Sequence, residues 1–361
     1  MSQPIKHNPA WTVAAPLAGL ALLGLHWSAG SALTLGLLVA GLVGSVIASV
    51  HHAEVIAHRV GEPFGTLVLA LAVTVIEVAL IVSMMLSGGE AASSLARDTV
   101  FAAVMIILNG LIGMSLLVGG RRHRVQGFKL EGINAALGTL TVIVVFTLIV
   151  PNYSTSAPGP TYTTSQLVFV AVATLALFAA FTFFQTVRHR DYFLPEEGED
   201  DPNEHAERPT ARETLASLAL LLAALVAVVL SAKGISPAME SALRALGAPP
   251  ATVGILIAAI VLLPEGFAAV RAAANNRLQT SLNLAIGSAI ASIGLTVPTV
   301  AVVAVIMGWP LTLGLDMKST VLLVLSLFVV SISLRTGRTT ALPGAVHLVM
   351  FAAYLFLSFV P

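Results

Sequence analysis

The chain has 361 residues, of which 57% are hydrophobic and only 10% are charged, with a net charge of zero and a mean hydropathy of +0.93. Soluble domains carry about 25% charged residues, so this composition excludes a soluble globular protein. The sequence has no cysteine, which excludes disulfides, thiolate metal sites and thiol nucleophiles.

Apolar runs recur along the whole chain, and each is long enough to cross a bilayer, which takes about 20 residues. The eleven predicted transmembrane helices cover residues 11–27, 31–50, 64–87, 99–119, 132–151, 165–187, 213–232, 251–273, 279–307, 319–334 and 342–360. A transmembrane β-barrel would instead alternate polar and apolar residues in segments of about ten. We therefore predict an all-α polytopic membrane protein. The first run resembles a signal peptide, but Lys6 is its only basic flank and the run is long, so we expect a retained helix.

The lysines and arginines separate into two groups when successive loops are assigned to alternate sides of the membrane. The side with the N-terminus holds fourteen of the eighteen, and the other holds only Arg97, Lys233, Arg244 and Lys318. Positive residues favour the cytoplasmic face. We therefore expect a cytoplasmic N-terminus and a periplasmic C-terminus, in a bacterial inner (plasma) membrane.

The loop between the sixth and seventh predicted helices, residues 188–212, is strongly acidic. Its eight acidic residues are Asp191, Glu196, Glu197, Glu199, Asp200, Asp201, Glu204 and Glu207. A segment of this composition with several prolines cannot build a core. We interpret it as a hydrated cytoplasmic linker between two halves of the chain; a cation-sensing segment is the alternative.

The two halves repeat one pattern. Glu54 lies seven residues before Gly61, Glu240 lies seven residues before Gly247, and each glycine precedes a long apolar helix with one glutamate. Helices two to six therefore match helices seven to eleven. Because five is odd, the second copy enters the membrane from the opposite face, which gives the inverted repeat of secondary transporters. The predicted divisions are an extra N-terminal helix (1–30), a first repeat (31–187), the acidic linker (188–212) and a second repeat (213–361).

The glutamate of each repeat, Glu77 in "AVTVIEVALIV" and Glu265 in "IVLLPEGFAAV", lies deep in its helix. At a rise of about 1.5 Å per residue, neither side chain reaches the headgroups. An unpaired charge at this depth costs at least about 2.5–3.5 kcal/mol. No lysine or arginine lies at this depth in any predicted span. We interpret both residues as functional; a protonated structural glutamate is the alternative.

Further oxygen atoms are expected near this pair. Pro264 has no N–H to donate to the Ile260 carbonyl, so we expect an unwound turn with a free oxygen beside Glu265. Thr74 lies one turn before Glu77. Candidates to line the site from facing helices are Asn109, Asn283, Ser288 and Ser292. Close helix packing is the alternative explanation for small residues in these stripes.

Two carboxylates without sulfur ligands select hard cations such as Ca²⁺, Na⁺, K⁺ or H⁺. Burial favours the protonated form of a carboxyl group, and a bound cation favours the ionised form. Glu77 and Glu265 would therefore hold protons or a metal ion, seldom both. Alternate exposure of the pair to the two sides of the membrane would give obligatory exchange, so the residues predict a cation/proton antiporter.

The chain resembles the calcium/cation antiporter superfamily, in particular the cation/proton exchanger family and the bacterial ChaA-type antiporters. The resemblance covers nearly the whole chain and rests on "GEPFGTLVLALAVTVIEVALIVSMM" and "LLPEGFAAVRAAANNRLQTSLNLAIGSAIASIGLTVP". It implies a sodium/calcium-exchanger-like fold, with Glu77 and Glu265 as the essential acidic residues of two repeats, and export of Ca²⁺, Na⁺ or K⁺ in exchange for H⁺.

The sequence departs from this family near both glutamates. Val73-Thr74 and Val261-Leu262 stand where members commonly have Gly-Asn, and Ala291 stands where a glutamine is expected. Fewer side-chain oxygens around the pair count against strict Ca²⁺ selectivity and leave room for Na⁺ or K⁺.

A second polar cluster lies at the end of the second helix, where His51, Glu54 and His58 share one helical face in "HHAEVIAH". It does not match the H-E-x-x-H pattern of zinc proteases. We interpret it as an interfacial helix end; a gating or pH-sensing cluster is the alternative. Because Glu240 repeats Glu54, both are candidates to flank opposite entrances to the site. His347 is expected to be a core residue.

A passive cation channel is the main alternative function, but the sequence shows no repeated rings of charge. A membrane-embedded enzyme ranks last, because no Ser/His dyad or paired aspartates occur at matching depth. We therefore expect a transporter without enzymatic activity, resident cofactor or nucleic-acid partner. Its expected partners are inorganic cations, protons and membrane lipid, and homo-oligomerisation is left open.

Overall fold

A computed structural model describes residues 8–29, 31–61, 64–88, 93–194, 208–245, 247, 249 and 251–360. Over this part of the chain the structure is almost entirely helical. In chain order the helices are α1 (Ala10–Ala29), α2 (Ala32–Val60), α3 (Phe64–Gly88), α4 (Leu95–Met105), α5 (Ile112–His123), α6 (Leu130–Val144), α7 (Thr164–Phe183), α8 (Ala211–Ala245), α9 (Ala251–Ala274), α10 (Leu278–Met307), α11 (Met317–Ser333) and α12 (Ala341–Phe359). Two short strands, β1 (Gln126–Gly127) and β2 (Arg338–Thr339), pair antiparallel.

Three membrane spans combine an α-helix with a π-helical segment. Ile106–Leu111 joins α4 to α5, Val145–Ile149 extends α6, and Phe184–Arg188 extends α7. Such wider turns occur frequently at functional sites. With α4 and α5 counted as one span, the described residues contain ten helices of spanning length and the shorter apolar α11. The prediction of an eleven-helix membrane protein is confirmed.

The predicted ends of two helices, at residues 50 and 232, are wrong. α2 continues to Val60 and α8 continues to Ala245. Hydropathy marks where the apolar surface stops, whereas helical backbone hydrogen bonds continue past that boundary. α2 ends at Gly61 (φ +78°), and Gly247 (φ +67°) follows α8. Glycine adopts a positive φ without a steric penalty, so both residues suit the turns that follow.

The main helix contacts join the two predicted halves of the chain. α2 packs against α8, α3 against α10, α9 against α4, α5 against α12, and α10 against α7. In the predicted repeats, α3 corresponds to α9, the α4–α5 span to α10, and α7 to α12. The α3–α10 contact therefore has its counterpart in the α9–α4 contact, and the α10–α7 contact has its counterpart in the α5–α12 contact. This is the arrangement that two matching repeats would give. The repeat boundaries themselves stay a prediction.

Basic residues gather at one end of the bundle, where β1 and β2 pair. There Lys129 donates from its backbone N–H to Gln279 Oε1 and from its side chain to the Asp191 carbonyl. Arg97 lies at the opposite end, because α4 begins there and α5 ends among the arginines at 121–124. Residues 195–207, which carry most of the predicted acidic linker, lie outside the described residues.

The helix α10 lies at the centre of the bundle and packs against α3, α6, α7 and α9. Its side chains Ile286, Ile290 and Ile293 are completely buried. Two serines, Ser288 and Ser292, are buried on the same helix. A buried hydroxyl needs a hydrogen-bond partner, and the partners of these two serines define the site described next.

Candidate cation site

Glu77 lies near the middle of α3, and its side chain is only 2% exposed. The residues next to it on α3 are apolar except for Thr74, one turn earlier, so the helix itself offers the carboxyl group one nearby polar side chain. Ser292 Oγ of α10 lies 2.8 Å from Glu77 Oε1 and 2.7 Å from Oε2, and its single hydroxyl proton is shared between them. Both oxygens of Glu77 therefore face α10.

Glu265 lies in α9, and its side chain is 1% exposed. The expected unwound turn at the preceding Pro264 is absent, because α9 is continuous from Ala251 to Ala274. A proline inside a membrane helix is tolerated when local backbone adjustments and neighbouring helices satisfy the freed carbonyl group. Proline still has no N–H, so the Ile260 carbonyl lacks its helical donor, as expected.

The two carboxyl groups meet on neighbouring turns of α10. Ser288 Oγ donates to Glu265 Oε2, and Ser292, four residues later, donates to Glu77. Four residues span about 6 Å along a helix axis. The two side chains are close enough to interact electrostatically. The predicted pair is thus brought together by α10, although its role in binding a cation stays a prediction.

The hydrogen bonding of the pair is incomplete on one side. Glu265 Oε1 is buried and has no hydrogen-bond partner among the residues that the structure describes. Leaving a buried acceptor unpaired costs about 1–3 kcal/mol, and more if it is charged. A proton or a cation at this oxygen would remove that cost, which makes Glu265 the member of the pair best placed to exchange one for the other.

Two threonines flank the pair. Thr74 is buried beside Glu77, and its hydroxyl donates to the Ala70 carbonyl of its own helix, which leaves the lone pairs of its oxygen available. Thr296 was missed by the sequence analysis. It follows Ser292 by four residues on α10, is completely buried, and its Oγ1 has no partner within the described residues. The spacing of four from Ser288 to Ser292 to Thr296 was the signal that would have identified it.

Asn109 does not reach the pair. It lies in the π-helical segment Ile106–Leu111 and is completely buried. Its Nδ2 donates to Ser326 Oγ at 2.8 Å, and its Oδ1 accepts from His347 Nδ1 at 3.2 Å. His347 Nε2 lies 3.3 Å from Ser333 Oγ, so both ring nitrogens are satisfied in one tautomer. The π turn changes which way the following side chains face, and this network holds the segment Ile106–Leu111 to α11 and α12.

We expect Asn109→Leu to lower the thermal unfolding temperature, because it leaves the buried Nδ1–H of His347 without an acceptor, at a cost of about 1–3 kcal/mol. The double variant Asn109→Leu/His347→Leu removes both partners and is expected to recover most of that loss. Thermal unfolding in detergent measures both. Equal destabilisation of the single and double variants would contradict the assigned hydrogen bond.

Asn283 lies nearer the basic end of α10. Its Nδ2 donates to the Phe193 carbonyl at 2.6 Å, and its Oδ1 accepts from Gln279 at 2.9 Å. Asn283 therefore lies between the carboxyl pair and the basic end of the bundle, and its side chain hydrogen-bonds to neither glutamate.

The predicted entrance residues lie apart from the pair. Glu54 is exposed and interacts electrostatically with His51 and Arg271, while the His51 ring packs on Trp11. His58 is half-buried in the same helix. Within the described residues, no group of three or more His, Cys, Asp or Glu is arranged to hold a metal ion. Glu240 lies in α8, but its side chain is outside the described part of the chain.

Comparison with known proteins identifies the family. The family described as sodium/calcium exchanger protein matches residues 30–187 and 216–360. The chain belongs to this family. Two curated relatives align along nearly all of it. The putative ionic transporter y4hA of Sinorhizobium fredii is 49% identical over 98% of this chain and 97% of its own length. The sodium-potassium/proton antiporter ChaA of Escherichia coli is 38% identical over 94% of this chain and 93% of its own length.

Solved structures of exchangers share the fold. A structure of native YfkE superposes with a TM-score of 0.74 at 16% identity, covering 98% of this chain and 99% of that one. The H⁺/Ca²⁺ exchanger CAX gives a TM-score of 0.71 at 16% identity, covering 96% of this chain and 87% of that one. The expected exchanger-like fold and the resemblance to the cation antiporters are both confirmed.

Proposed function

We propose that this integral membrane protein is a secondary active antiporter that exchanges H⁺ for Na⁺ or K⁺ at Glu77 and Glu265, with Ca²⁺ as a further cargo. The observation that carries the proposal is the meeting of two buried carboxyl groups, one from each half of the chain, on neighbouring turns of α10. No lysine or arginine of the described residues forms an ion pair with either carboxyl group. The charge that balances the pair therefore comes from the cargo.

Charge balance limits what the pair holds. With both carboxyl groups ionised, the site carries two negative charges, which match two protons, one divalent cation, or one monovalent cation and one proton. Each cation that enters displaces at least one proton. Exchange follows if the pair opens to only one side of the membrane at a time.

The side chains at Val73-Thr74 and Val261-Leu262, where the family commonly has Gly-Asn, favour a monovalent cargo because they take side-chain oxygens away from the pair. The two carboxyl groups, the hydroxyls of Ser288 and Ser292 and the Ile260 carbonyl still offer seven oxygen atoms, which is within the 6–8 that Ca²⁺ takes, so Ca²⁺ stays a further cargo. The Escherichia coli relative is a sodium-potassium/proton antiporter, which supports the same cargo here. We therefore place Na⁺ and K⁺ before Ca²⁺.

Alternating access would arise from movement of the two repeats against each other. The two separate family matches at 30–187 and 216–360 support the division into repeats, as do the helix contacts that join the halves. Bacterial relatives and the gathering of basic residues at one end support an inner membrane location with a cytoplasmic N-terminus. Labelling of single-cysteine variants from each side of intact cells measures this orientation.

Everted membrane vesicles test the proposal. Vesicles that contain the protein and hold an imposed pH gradient are expected to lose that gradient when Na⁺ or K⁺ is added, with a weaker response to Ca²⁺. Vesicles without the protein provide the control. A response to Ca²⁺ alone would overturn the monovalent assignment, and the absence of any response would overturn antiport. Cation uptake without proton movement would favour the alternative, a passive cation channel.

A further inference from the structure

We propose that the cavity between α3, α7 and α10 is a second cation-binding site, through which a cation passes on its way to the carboxyl pair. This inference rests on the proposed function, because it assigns the route to Glu265. The cavity lies towards the basic end of the bundle, which we predict to be cytoplasmic. We name it the transit cavity. Its polar lining residues are Thr182, Gln185, Asn283 and Ser288; Ala70 and Gly287 lie beside them, and the rest of the lining is apolar.

The transit cavity fits one small ion. Its volume is about 20 Å³, and a cavity of about 10–15 Å³ already holds one water molecule. A Cβ built on Gly287 would find no atom within 4 Å, so α10 leaves open space at this position. The open space at Gly287 and the transit cavity are therefore the same void.

The walls of the cavity provide unused oxygen atoms. Thr182 Oγ1 is buried and has no hydrogen-bond partner among the described residues. Gln185 is 8% exposed and belongs to the π-helical segment Phe184–Arg188, which places its carboxamide on the cavity wall. Neutral oxygens of this kind are ligands for Na⁺, K⁺ or Ca²⁺. A carboxamide does not carry protons at neutral pH, so these walls suit the cation rather than the proton.

The cavity leads directly to the carboxyl pair. Ser288 lines its inner end, and the same hydroxyl donates to Glu265 Oε2. The oxygen of Ser288 keeps its lone pairs, so it can contact a cation on one side while it contacts Glu265 on the other. On α3, Ala70 of the cavity wall lies seven residues before Glu77, which is about two helical turns. Ser288 is therefore the residue that joins the transit cavity to the buried pair.

The matching crevice of the other half has a different character. Exchange of the halves maps α3, α7 and α10 onto α9, α12 and the α4–α5 span, and a crevice exists there too. Its lining residues, which include Leu111, Met114, Leu263, Phe267 and Phe351, are all apolar or glycine. Of these two matching crevices, only the transit cavity carries polar side chains. Because an ion needs polar ligands, this difference identifies the transit cavity as the route for an ion.

The sequence has no cysteine, so a single Gly287→Cys substitution places one thiol in the cavity. In purified protein and chloride-free buffer, we expect Ag⁺, a thiol-reactive ion of about the size of Na⁺ and K⁺, to bind this thiol, and Na⁺ or K⁺ to slow that modification about tenfold relative to N-methyl-D-glucamine. Fluorescent maleimide, added after denaturation, counts the thiols that remain. Thr155→Cys is the control, because Thr155 is exposed in the loop that follows the α6 span and does not line the transit cavity. Its modification should not depend on the cation.

Protection that persists in Gly287→Cys/Glu265→Gln would show that the transit cavity binds the cation independently of the carboxyl pair. Modification without cation protection, or no modification of folded protein, would overturn the transit site and leave the proposed exchange intact.

Thr182→Val and Gln185→Leu remove the wall oxygens without adding bulk. Each is expected to raise the half-saturating cation concentration for exchange about tenfold while the maximal rate is retained. An unchanged half-saturating concentration in both would also overturn the site.

Discussion

Replacement of Glu265 by glutamine is expected to abolish cation-driven proton movement, down to the level of vesicles without the protein. The amide has nearly the same shape, and Ser288 can still donate to its oxygen. It can neither take up a proton nor balance the charge of a cation, so the exchange cycle cannot run. Because glutamine removes a buried charge and keeps the packing, the variant is expected to insert and unfold at a temperature close to that of the unmodified protein.

Glu77→Gln is expected to abolish exchange as well, since Glu77 holds the second charge of the pair. Glu131→Gln is the matched control. Glu131 is an exposed glutamate in the first turn of α6 that forms no ion pair and no hydrogen bond with the carboxyl pair or its serines, and its replacement should leave exchange unchanged. Full activity of folded Glu265→Gln would contradict the two-carboxylate account.

The second large effect is expected from Gly344→Val, which should prevent α12 from packing against α5. A Cβ at Gly344 would meet the backbone nitrogen of Leu117 and the carbonyl of Gly113 more closely than real Cβ atoms approach such atoms. Backbone atoms cannot rotate away, so the two helices must separate. Overpacking typically costs about 1–3 kcal/mol and occasionally more, and we expect this site to exceed that range. The yield of monodisperse protein and its thermal unfolding temperature measure the loss.

Gly138→Val controls for the intrinsic cost of valine in a helix, because a side chain at Gly138 meets no atom within 4 Å. Its unfolding temperature should change little. Equal yields and equal unfolding temperatures for the two valine variants would contradict the close approach of α5 and α12 at Gly344.

Much of this fold was predictable because a bilayer imposes a simple rule on the sequence. Membrane-spanning segments must be apolar over about 20 residues, so the apolar runs predicted the number of helices. A carboxyl group deep in such a run is costly, so the same rule singled out Glu77 and Glu265. The helix ends were less predictable. Polar residues of "HHAEVIAH" mark where the apolar surface of α2 stops, but the helix continues to Val60.

The details of the site depended on how helices rotate and pack. Asn109 was predicted to line the site of the carboxyl pair, yet the π-helical segment and the partners Ser326 and His347 direct its side chain elsewhere. Thr182 and Gln185 were not identified because a periodic pattern shows which residues share a face, and does not show which faces enclose a cavity. Ser288 and Ser292 were identified because a spacing of four places them on one face of α10, the face that receives both carboxyl groups.

The central claim is that cation and proton movements are coupled at the pair, and one measurement tests it most directly. Purified protein is placed in K⁺-free liposomes with the permeant anion thiocyanate at equal concentration on both sides, which holds the membrane potential at zero, and a Na⁺ gradient balanced by N-methyl-D-glucamine is then imposed without a pH gradient. The account predicts that protons move uphill against the Na⁺ flux and build a pH gradient, which Glu265→Gln abolishes. Movement of ²²Na⁺ through the unmodified protein without any pH gradient would contradict it.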